Sequence, residues 1–352
     1  MNSFEKKLHQ LIVEGVDHNL SPYTPGLKLE VYEKGKKRGE LEMGETYPLY
    51  DLASLTKIIF SATALMRHFD SHWSELFESL NKTVTWWKPS KTRPCDLLSH
   101  SAGLEWWQPY YKKLKGPMDP AKRWSQLENL LKKVPITHAK IAVYSDLDLY
   151  LLGAYLQRVK QQSFEEIWQQ QCEDFGFKKI HFNLKNKPTY ARKSYAPTED
   201  CPWRKKVLQG EVHDENAWAL GGIAPHSGLF GPIEEVSKWG LELRKAVIKE
   251  EATAFGDPLV VKEFTRRQIP KSIGDWGYGF MKPSAKKASC GPKFSKTSFG
   301  HTGYTGPSLW MDPKRDLLVV ILSNRVHPTR KNQLFPQQLR PQIHTWICQL
   351  LD

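Results

Sequence analysis

Several features that would narrow the class of this protein are missing from its 352 residues. The five cysteines are odd in number, scattered and without Cys-x-x-Cys spacing, which argues against a disulfide framework or a zinc site and suits free thiols in a reducing compartment. No apolar run is long enough to cross a bilayer. The N-terminal segment lacks the uninterrupted apolar core of a secretory signal. These absences predict a cytoplasmic protein without a transmembrane segment, or a periplasmic one whose leader has been removed.

A nucleic-acid recognition motif is also missing, although the net charge is +13. Such a field attracts anions, among them nucleic acid, anionic lipid and acidic small substrates. The lysines are nevertheless spread along the chain, in pairs such as Lys112–Lys113 and Lys132–Lys133, and no known recognition motif accompanies them. We therefore expect a solvated basic surface and no nucleic-acid partner.

What the sequence does contain is strand patterns at both ends. Residues 27–32 alternate apolar and polar side chains with period two, and a turn over 35–39 leads into a return strand, which makes a hairpin. Near the C-terminus, residues 308–311 and 317–322 read as two strands joined by a turn. The second of these is nearly all apolar and is expected to be buried on both faces.

Helical periodicity dominates between those ends. Apolar spacing predicts helices over 4–16, from about Ser54, over 124–134, from Asp146 and after Pro341. The fold predicted is α+β, with one antiparallel sheet built from both termini, flanked by helices, and an all-helical lobe inserted. The expected division is a sheet domain of residues 1–57 and 205–352 and a helical domain of residues 58–204, with a functional cleft between them.

The segment containing Ser54 and Lys57 carries the clearest chemical signal. It opens a long amphipathic helix, so that two residues three apart share one helix face. The partial positive charge of a helix N-terminus favours a neutral lysine amine and a developing serine alkoxide. A base beside a nucleophile is the arrangement of covalent acyl transfer, and Ser-x-x-Lys is the signature of β-lactamases and penicillin-binding proteins.

The Ser-x-x-Lys pattern is weak by itself, because it also begins at Ser3, Ser79 and Ser284, where a solvated surface pair is expected. Ser54 differs because two further motifs follow it. The first is Tyr144-Ser145-Asp146. A lysine ammonium makes a nearby phenol lose its proton more easily, so that Tyr144 could act as base and then as acid. The alternative is a core tyrosine at a helix start, with Asp146 as N-cap.

The second motif is His301-Thr302-Gly303, which precedes the strand at 308. Small residues let the edge of a sheet approach a ligand backbone closely. The backbone N–H of Tyr304, beside that of Ser54, could hold a developing oxyanion. The alternative is a glycine-rich turn without a chemical role.

These three motifs, in this order and at compatible separations, resemble those of the serine β-lactamase and penicillin-recognising hydrolase family, in its class C-like branch. The resemblance extends over nearly the whole chain through the segments 51–57, 97–104, 212–217, 220–222 and 227–230. It implies that Ser54 is the acylated nucleophile, Lys57 its activator and Tyr144 the general base and proton shuttle. It further implies an oxyanion hole from the amides of Ser54 and Tyr304, and no cofactor.

Two departures from the family's pattern bear on the substrate. Asp146 stands where class C β-lactamases have an asparagine that positions a substrate amide, and His301 stands where they have a lysine that meets the β-lactam carboxylate. A histidine is largely neutral near pH 7, so carboxylate recognition there is expected to weaken. Both changes disfavour efficient β-lactam hydrolysis and suit esterase, D-amino-acid peptidase or amidase members of the family.

Two more segments are expected to border the cleft. Trp106 and Trp107 belong to an aromatic loop that either lines the site or packs between the lobes. His213 is followed by Asp214 and Glu215 and invites a metal interpretation, with His226 as a further candidate ligand. That spacing is not a known ligand set, and no metal is expected.

The function predicted is that of a serine hydrolase acting through an acyl-enzyme on Ser54. The substrate would be a small ester, or a peptide or amide containing a D-amino acid, with a peptidoglycan fragment as one candidate. The alternative is a non-catalytic member that binds cell-wall peptide or a protein partner in the same cleft.

Overall fold

The computed structural model describes residues 1–137 and 141–352. Its α-helices are α1 to α10 in chain order: Ser3–Gly15, Thr63–Phe69, Pro94–Leu98, Pro120–Leu131, Asp146–Lys160, Phe164–Phe175, Glu215–Ala219, Ile233–Arg244, Pro258–Thr265 and Arg340–Leu351. Its strands are β1 to β10: Gly26–Glu33, Lys36–Gly44, Tyr50–Asp51, His181–Phe182, Asp200–Cys201, Lys206–Val207, Leu229–Gly231, Phe299–Thr302, Ser308–Asp312 and Leu317–Ser323. Wider π-helical turns occupy Lys57–Ala62, Lys245–Lys249 and Phe335–Leu339.

The main sheet has five antiparallel strands in the order β2-β1-β10-β9-β8. The N-terminal hairpin therefore pairs directly with the last strand of the chain, which confirms an α+β fold with one sheet built from both termini. The hairpin turn is tighter than expected. Lys34 and Gly35 adopt positive φ angles and β2 resumes at Lys36, so the turn predicted over 35–39 was too long.

Strand β10 is buried along its whole length, as its apolar run predicts. Alternate side chains of a strand point to opposite faces. Val319 and Ile321 pack against the terminal helices α1 and α10 in one hydrophobic cluster. Leu318, Val320 and Leu322 belong to the larger cluster on the other face, which also contains the helix that follows Ser54. The sheet is thus a middle layer between two groups of helices.

The helices between the strands begin where capping residues permit. Helix α4 starts at Pro120, four residues before the predicted 124, because the Asp119 side chain accepts the N–H of Lys122 and proline is tolerated in a first helical turn. Helix α5 starts at Asp146 as expected, but its N-cap is Ser145, whose hydroxyl accepts the N–H of Leu147. The cap suggested for Asp146 was wrong.

Two smaller sheets accompany the main one. Strands β3, β7 and β4 form one small sheet, and β5 and β6 form another. The division into a sheet domain and a helical domain at residues 58 and 205 stays a prediction. Within the described part of the chain, none of the helices is long and apolar enough to span a bilayer.

Candidate active site

Ser54 is presented by a sharp bend between β3 and a helix. The buried carboxylate of Asp51 accepts the N–H of Ala53 and the N–H of His213, each at 2.8 Å. Ala53 has a φ of 44°, a left-handed conformation that is uncommon for a residue with a Cβ and that marks a locally strained backbone. The bend places Ser54 at the wall of a cleft rather than inside the following helix.

The helix that follows begins with the π-helical turn Lys57–Ala62 and continues as α2. Such widened turns recur at functional sites. The hydroxyl of Thr63 donates to the carbonyl of Ile58 at 2.9 Å within this turn. Lys57 lies in the turn with its side chain 2% exposed, an unusual environment for a charged group unless partners surround it.

Tyr144 reaches the same point from the other side of the cleft. The backbone of Val143 is fixed by its N–H bond to the carbonyl of His100, at 2.9 Å, and Ser145 caps α5 immediately after it. The Tyr144 ring stacks on Trp276, with ring centroids 5.4 Å apart and planes 6° apart. The phenol is therefore oriented by its neighbours before any substrate arrives.

Ser54, Lys57 and Tyr144 meet at hydrogen-bonding distance, as the motifs predicted. The Oγ of Ser54 lies 2.9 Å from the Nζ of Lys57 and 2.9 Å from the hydroxyl of Tyr144. The same Nζ lies 2.8 Å from Oδ1 of Asp146 and 3.2 Å from the carbonyl oxygen of His226. A hydroxyl, an amine and a phenol thus share one small volume.

The charge state of Lys57 differs from the expectation of a neutral amine. Burial by itself would lower the lysine pKa, but the Asp146 carboxylate and the adjacent Tyr144 outweigh burial and raise the pKa above its ordinary value. Lys57 is consequently an ammonium group at neutral pH.

The pKa of Tyr144 also departs from the expectation. Burial raises it, and the opposing effect of the Lys57 charge does not reverse that rise. The carboxylate of Asp146 adds to the rise. The Lys57 charge thus favours the phenolate, as predicted, but burial and the Asp146 carboxylate outweigh it, and Tyr144 rests as a neutral phenol.

The wall opposite Tyr144 is formed by β8 and the loop after it. His301 is buried, and its ring lies 5.8 Å from that of Tyr144. Burial, and then the charge of Lys57, lower the pKa of His301 to about 3, so the ring is neutral at physiological pH. Thr302 and Gly303 line the cleft beside it. Glycine is needed there because a Cβ at 303 would stand 2.8 Å from the carbonyl oxygen of Leu52.

The backbone of Tyr304 faces the same cleft as Ser54. In residues 1–137 and 141–352, neither the Ser54 N–H nor the Tyr304 N–H donates a hydrogen bond to another protein group. That leaves both available to a ligand oxygen, and the oxyanion role stays a prediction. The exposed Tyr304 ring stacks on His213, with centroids 5.7 Å apart.

The aromatic loop lines the entrance. Trp106 is 65% exposed and stacks on Trp107 at 5.7 Å, and both face the cleft. The carbonyl of Trp106 accepts the N–H of Asp146 at 3.0 Å, which ties the loop to the Tyr144 segment. Of the two alternatives for this loop, the exposure of Trp106 fits a lining role, whereas Tyr110 is buried and packs in the core.

One group of acid and imidazole side chains in the described part of the chain converges closely enough to hold a metal: Asp146, Asp214 and His226, with ligand atoms within 4.8 Å of one another. Their contacts are already made within the protein. Lys57 pairs with Asp146, and Asp214 lies 3.0 Å from Nε2 of His226. The lysine ammonium thus occupies the cationic position of this cluster, and His213 lies outside it.

The cleft over Ser54 has a volume of about 710 Å³. Sequence reasoning missed several of its residues, because each of them lies outside the three motifs: Trp276, Met281, Arg325, Arg330 and Arg340. Neither periodicity nor spacing marks them. Only the packing of distant segments brings them to the site.

A serine, an amine and a phenol in a cleft beside an antiparallel sheet define the class of serine hydrolases related to penicillin-binding proteins. The β-lactamase family model matches residues 14–340, and the chain belongs to that family.

Similar proteins agree with that assignment. A Salmonella gallinarum protein named "putative D-alanyl-D-alanine carboxypeptidase" is 27% identical over 307 residues, covering 80% of this chain and 70% of that protein. Among solved structures, EstCE1, described as a hydrolase with promiscuous acyltransferase activity, matches with a TM-score of 0.70 and 16% identity over 96% of this chain and 99% of its own. An octameric penicillin-binding protein homologue from Pyrococcus abyssi matches with a TM-score of 0.69 and 16% identity over 98% of this chain and 76% of its own. These likenesses show the fold.

Proposed function

We propose that this protein is a serine hydrolase that forms an acyl-enzyme on Ser54. The observation that carries the proposal is the position of the Ser54 hydroxyl, 2.9 Å from both the Lys57 amine and the Tyr144 phenol. A nucleophile within hydrogen-bonding reach of a proton acceptor, itself held by a third group, is the arrangement that covalent catalysis requires.

The reactive state has Tyr144 deprotonated beside a charged Lys57. Ser54 Oγ attacks the substrate carbonyl carbon while its proton passes to the phenolate oxygen of Tyr144. The carbonyl oxygen becomes an oxyanion against the Ser54 and Tyr304 amides. Tyr144 then gives the proton to the departing alcohol or amine as its bond to carbon breaks. Water then attacks the acyl carbon while losing a proton to Tyr144, and Tyr144 returns that proton to Ser54 Oγ as the bond between Oγ and the acyl carbon breaks, which releases the acid.

Lys57 acts in this scheme through its charge. An ammonium 2.9 Å from the nucleophile, lying 4.9 Å from the centre of the Tyr144 ring, stabilises both the phenolate and the serine alkoxide. Asp146 fixes that ammonium in place at 2.8 Å. The same carboxylate opposes deprotonation of Tyr144, so the reactive state is a minor population at neutral pH.

The substrate class proposed is a small ester, or a peptide or amide containing a D-amino acid, with a peptidoglycan fragment as one candidate. The neutral His301 disfavours a β-lactam carboxylate at the position where lysine usually receives it. The exposed Trp106 offers an apolar face to an acyl or peptide group. The names of the similar proteins, a carboxypeptidase and a hydrolase with acyltransferase activity, both concern acyl-group chemistry.

The test is covalent labelling. Incubation with a fluorophosphonate or a labelled penicillin is expected to add one probe mass to the peptide that contains Ser54, and a nitrophenyl ester is expected to be hydrolysed. Ser54→Ala should abolish both. Ser3→Ala is the matched control because Ser3 also begins a Ser-x-x-Lys pattern but is exposed at the first position of α1. Absence of label, together with the absence of any ester hydrolysis that Ser54→Ala abolishes, would instead favour a binding protein.

A further inference from the structure

Two arginines in the wall of the cleft lack a carboxylate partner. Arg325 and Arg340 both line the cleft that contains Ser54, and their residues are only 3% and 5% exposed. Across the residues that the structure describes, neither forms an ion pair with an Asp or Glu within 4.0 Å. Uncompensated buried charge is costly, and two such charges of the same sign in one wall call for an explanation.

Arg340 is the less satisfied of the two. It is the first residue of α10, its NH1 contacts the carbonyl of Gly306 only at 3.5 Å, and its buried Nε has no hydrogen-bond partner. Burial, and then the charge of Arg325, lower the pKa of Arg340 to about 9. The protonated guanidinium thus lies in an environment that disfavours its charge.

Arg325 is held in place but not neutralised. Its Nε donates to the carbonyl of Tyr304 at 2.8 Å, and its NH1 donates to the carbonyl of Asn332 at 2.6 Å. Its guanidinium also lies over the Tyr304 ring, 4.6 Å from the centroid. Carbonyl oxygens satisfy its N–H groups but supply no negative charge, so the positive charge remains directed along the cleft wall.

The acidic groups of the cleft are already engaged elsewhere. Asp146 pairs with Lys57, Asp214 pairs with His226, and Glu215 pairs with Arg330 at 2.7 Å. Arg330 has a second carboxylate partner in Glu199. The third arginine of the wall is therefore neutralised, and the imbalance is confined to Arg325 and Arg340.

This pair of arginines is connected to the nucleophile through a single loop. Each of them contacts one carbonyl of the turn that follows His301-Thr302-Gly303: Arg325 contacts that of Tyr304, and Arg340 contacts that of Gly306. The same turn packs against the Ser54 bend, because the hydroxyl of Thr305 donates to the carbonyl of Asp51 at 2.8 Å. A substrate acylating Ser54 could extend along this turn to the arginines.

We propose that Arg325 and Arg340 form an anion subsite, which receives a carboxylate or phosphate group carried by the substrate away from its reacting carbonyl. Guanidinium groups match the planar, two-oxygen geometry of a carboxylate and the oxygens of a phosphate. The subsite supplies the positive charge that neutral His301 does not. The proposal rests on the proposed function for its substrate, but binding at the subsite does not depend on catalysis.

Direct binding to the Ser54→Ala protein tests the subsite without turnover. Three probes share a methyl ester: methyl hydrogen glutarate, the neutral dimethyl glutarate, and a methyl ester with a terminal phosphate. Calorimetry is expected to show at least about tenfold tighter binding of a charged probe than of the neutral one, with the difference reduced at high salt. Comparison of the affinities of the carboxylate probe and the phosphate probe identifies which anion fits the subsite better.

Substitutions then locate the charge that matters. In the Ser54→Ala background, Arg340→Gln is expected to remove the preference for the charged probes. Arg340→Lys is expected to retain part of that preference, because lysine keeps the positive charge but lacks the planar guanidinium that can donate two parallel hydrogen bonds. Arg192→Gln is the matched control: it removes one charge from an exposed arginine that does not line the cleft. Its preference ratio should stay within about twofold of the parent.

Two results would overturn the subsite: equal binding of charged and neutral probes, or a preference that Arg340→Gln leaves intact or that Arg192→Gln removes equally. Thermal unfolding of each variant shows whether it folds. If Arg340→Gln does not fold, the charged-to-neutral ratio of the parent and of Arg340→Lys still decides. Failure of Ser54 labelling alongside selective anion binding would reject the proposed function and retain the subsite.

Discussion

The Nζ atom of Lys57 lies 2.8 Å from Oδ1 of Asp146. This contact places a carboxylate against the lysine beside the candidate nucleophile, where the resemblance to class C β-lactamases implies an asparagine. It raises the pKa of both Lys57 and Tyr144. Burial opposes that rise at Lys57 and adds to it at Tyr144. Asp146 therefore acts on the proton affinity of both groups, beside burial, which is the largest influence on each.

Replacement of Asp146 by asparagine should shift the pH dependence of ester hydrolysis. In the wild type the rate is expected to rise with pH as Tyr144 loses its proton. Asp146→Asn removes a negative charge that raises the pKa of Lys57 and of Tyr144, so both pKa values fall. The rising part of the profile of kcat/KM against pH therefore moves to lower pH. At a pH below this rising part, kcat/KM should increase by about tenfold for each pH unit by which the profile moves.

The measurement is the pH at which kcat/KM rises, followed over the pH range in which the protein stays folded. Asp200→Asn, at the exposed residue of β5, is the control for a general change in charge. If the rising part of the pH profile is unchanged in Asp146→Asn, or moves to higher pH, the electrostatic role of Asp146 is contradicted.

Removal of the Tyr144 hydroxyl should slow the chemistry without preventing substrate binding. Tyr144→Phe keeps the ring stacked on Trp276 but deletes the proton acceptor, so kcat is expected to fall by about 10²–10⁴-fold with a small change in KM. Steady-state kinetics on a nitrophenyl ester provides the measurement. Tyr190→Phe, at a half-exposed phenol bonded to the carbonyl of Lys178, should behave as wild type. A Tyr144→Phe enzyme with nearly full kcat would remove Tyr144 from the mechanism.

Truncation of Trp106 should weaken substrate binding more than it affects folding. The side chain is 65% exposed and stacks on Trp107 at the cleft entrance. Trp106→Ala is expected to raise KM by roughly three- to tenfold for esters with bulky acyl groups, with kcat and the melting temperature nearly unchanged. The exposed Leu259, outside the cleft, provides Leu259→Ala as control. An unchanged KM across a series of acyl lengths would assign Trp106 to packing alone.

The bridge between Glu199 and Arg330 should stabilise the fold in a pH-dependent way. Burial tends to raise the pKa of Glu199, but the His213 imidazole, 3.5 Å away, and the hydrogen bonds from Arg330 outweigh burial and lower the pKa from the ordinary 4.5 to about 2. A lowered folded-state pKa contributes stability that is present above pH 4.5 and is lost as the pH falls towards 2. Glu199→Gln should reduce the free energy of unfolding at pH 7 by about 1–3 kcal/mol.

Denaturant unfolding at several pH values measures this contribution. The difference between wild type and Glu199→Gln should shrink as the pH is lowered from 4.5 towards 2. Glu78→Gln serves as control, since Glu78 pairs with Lys82 on the surface and should cost less than about 1 kcal/mol. A Glu199→Gln effect that is independent of pH would point to lost packing rather than to the ion pair.

The parts of the site that lie in short motifs could be predicted from the sequence. Ser54 and Lys57 are three residues apart at a helix start, so local geometry alone brings them together. The strand at 317–322 was equally predictable, because a continuous apolar run of that length has few other solutions. The hairpin turn was placed too broadly, since the positive φ angles of Lys34 and Gly35 leave no mark in the hydrophobic pattern.

The charge states of the site could not be predicted in the same way. Whether Lys57 is neutral depends on the distance to Asp146, which lies 89 residues further along the chain, and on how far both are removed from water. The sequence placed the two in neighbouring motifs of one site but gave no distance between them. Burial and the local charges then decided the direction of each pKa shift.

The sequence by itself determined the order of the elements, the nucleophile motif and the resemblance to the family, because these depend on residue spacing within single segments. Only the tertiary structure decided that Arg325 and Arg340 share a wall with Ser54 and that Asp146 contacts Lys57. Contacts of that kind arise when strands and helices distant in the chain pack against a common sheet. Their energies depend on separation and burial, which no local pattern encodes.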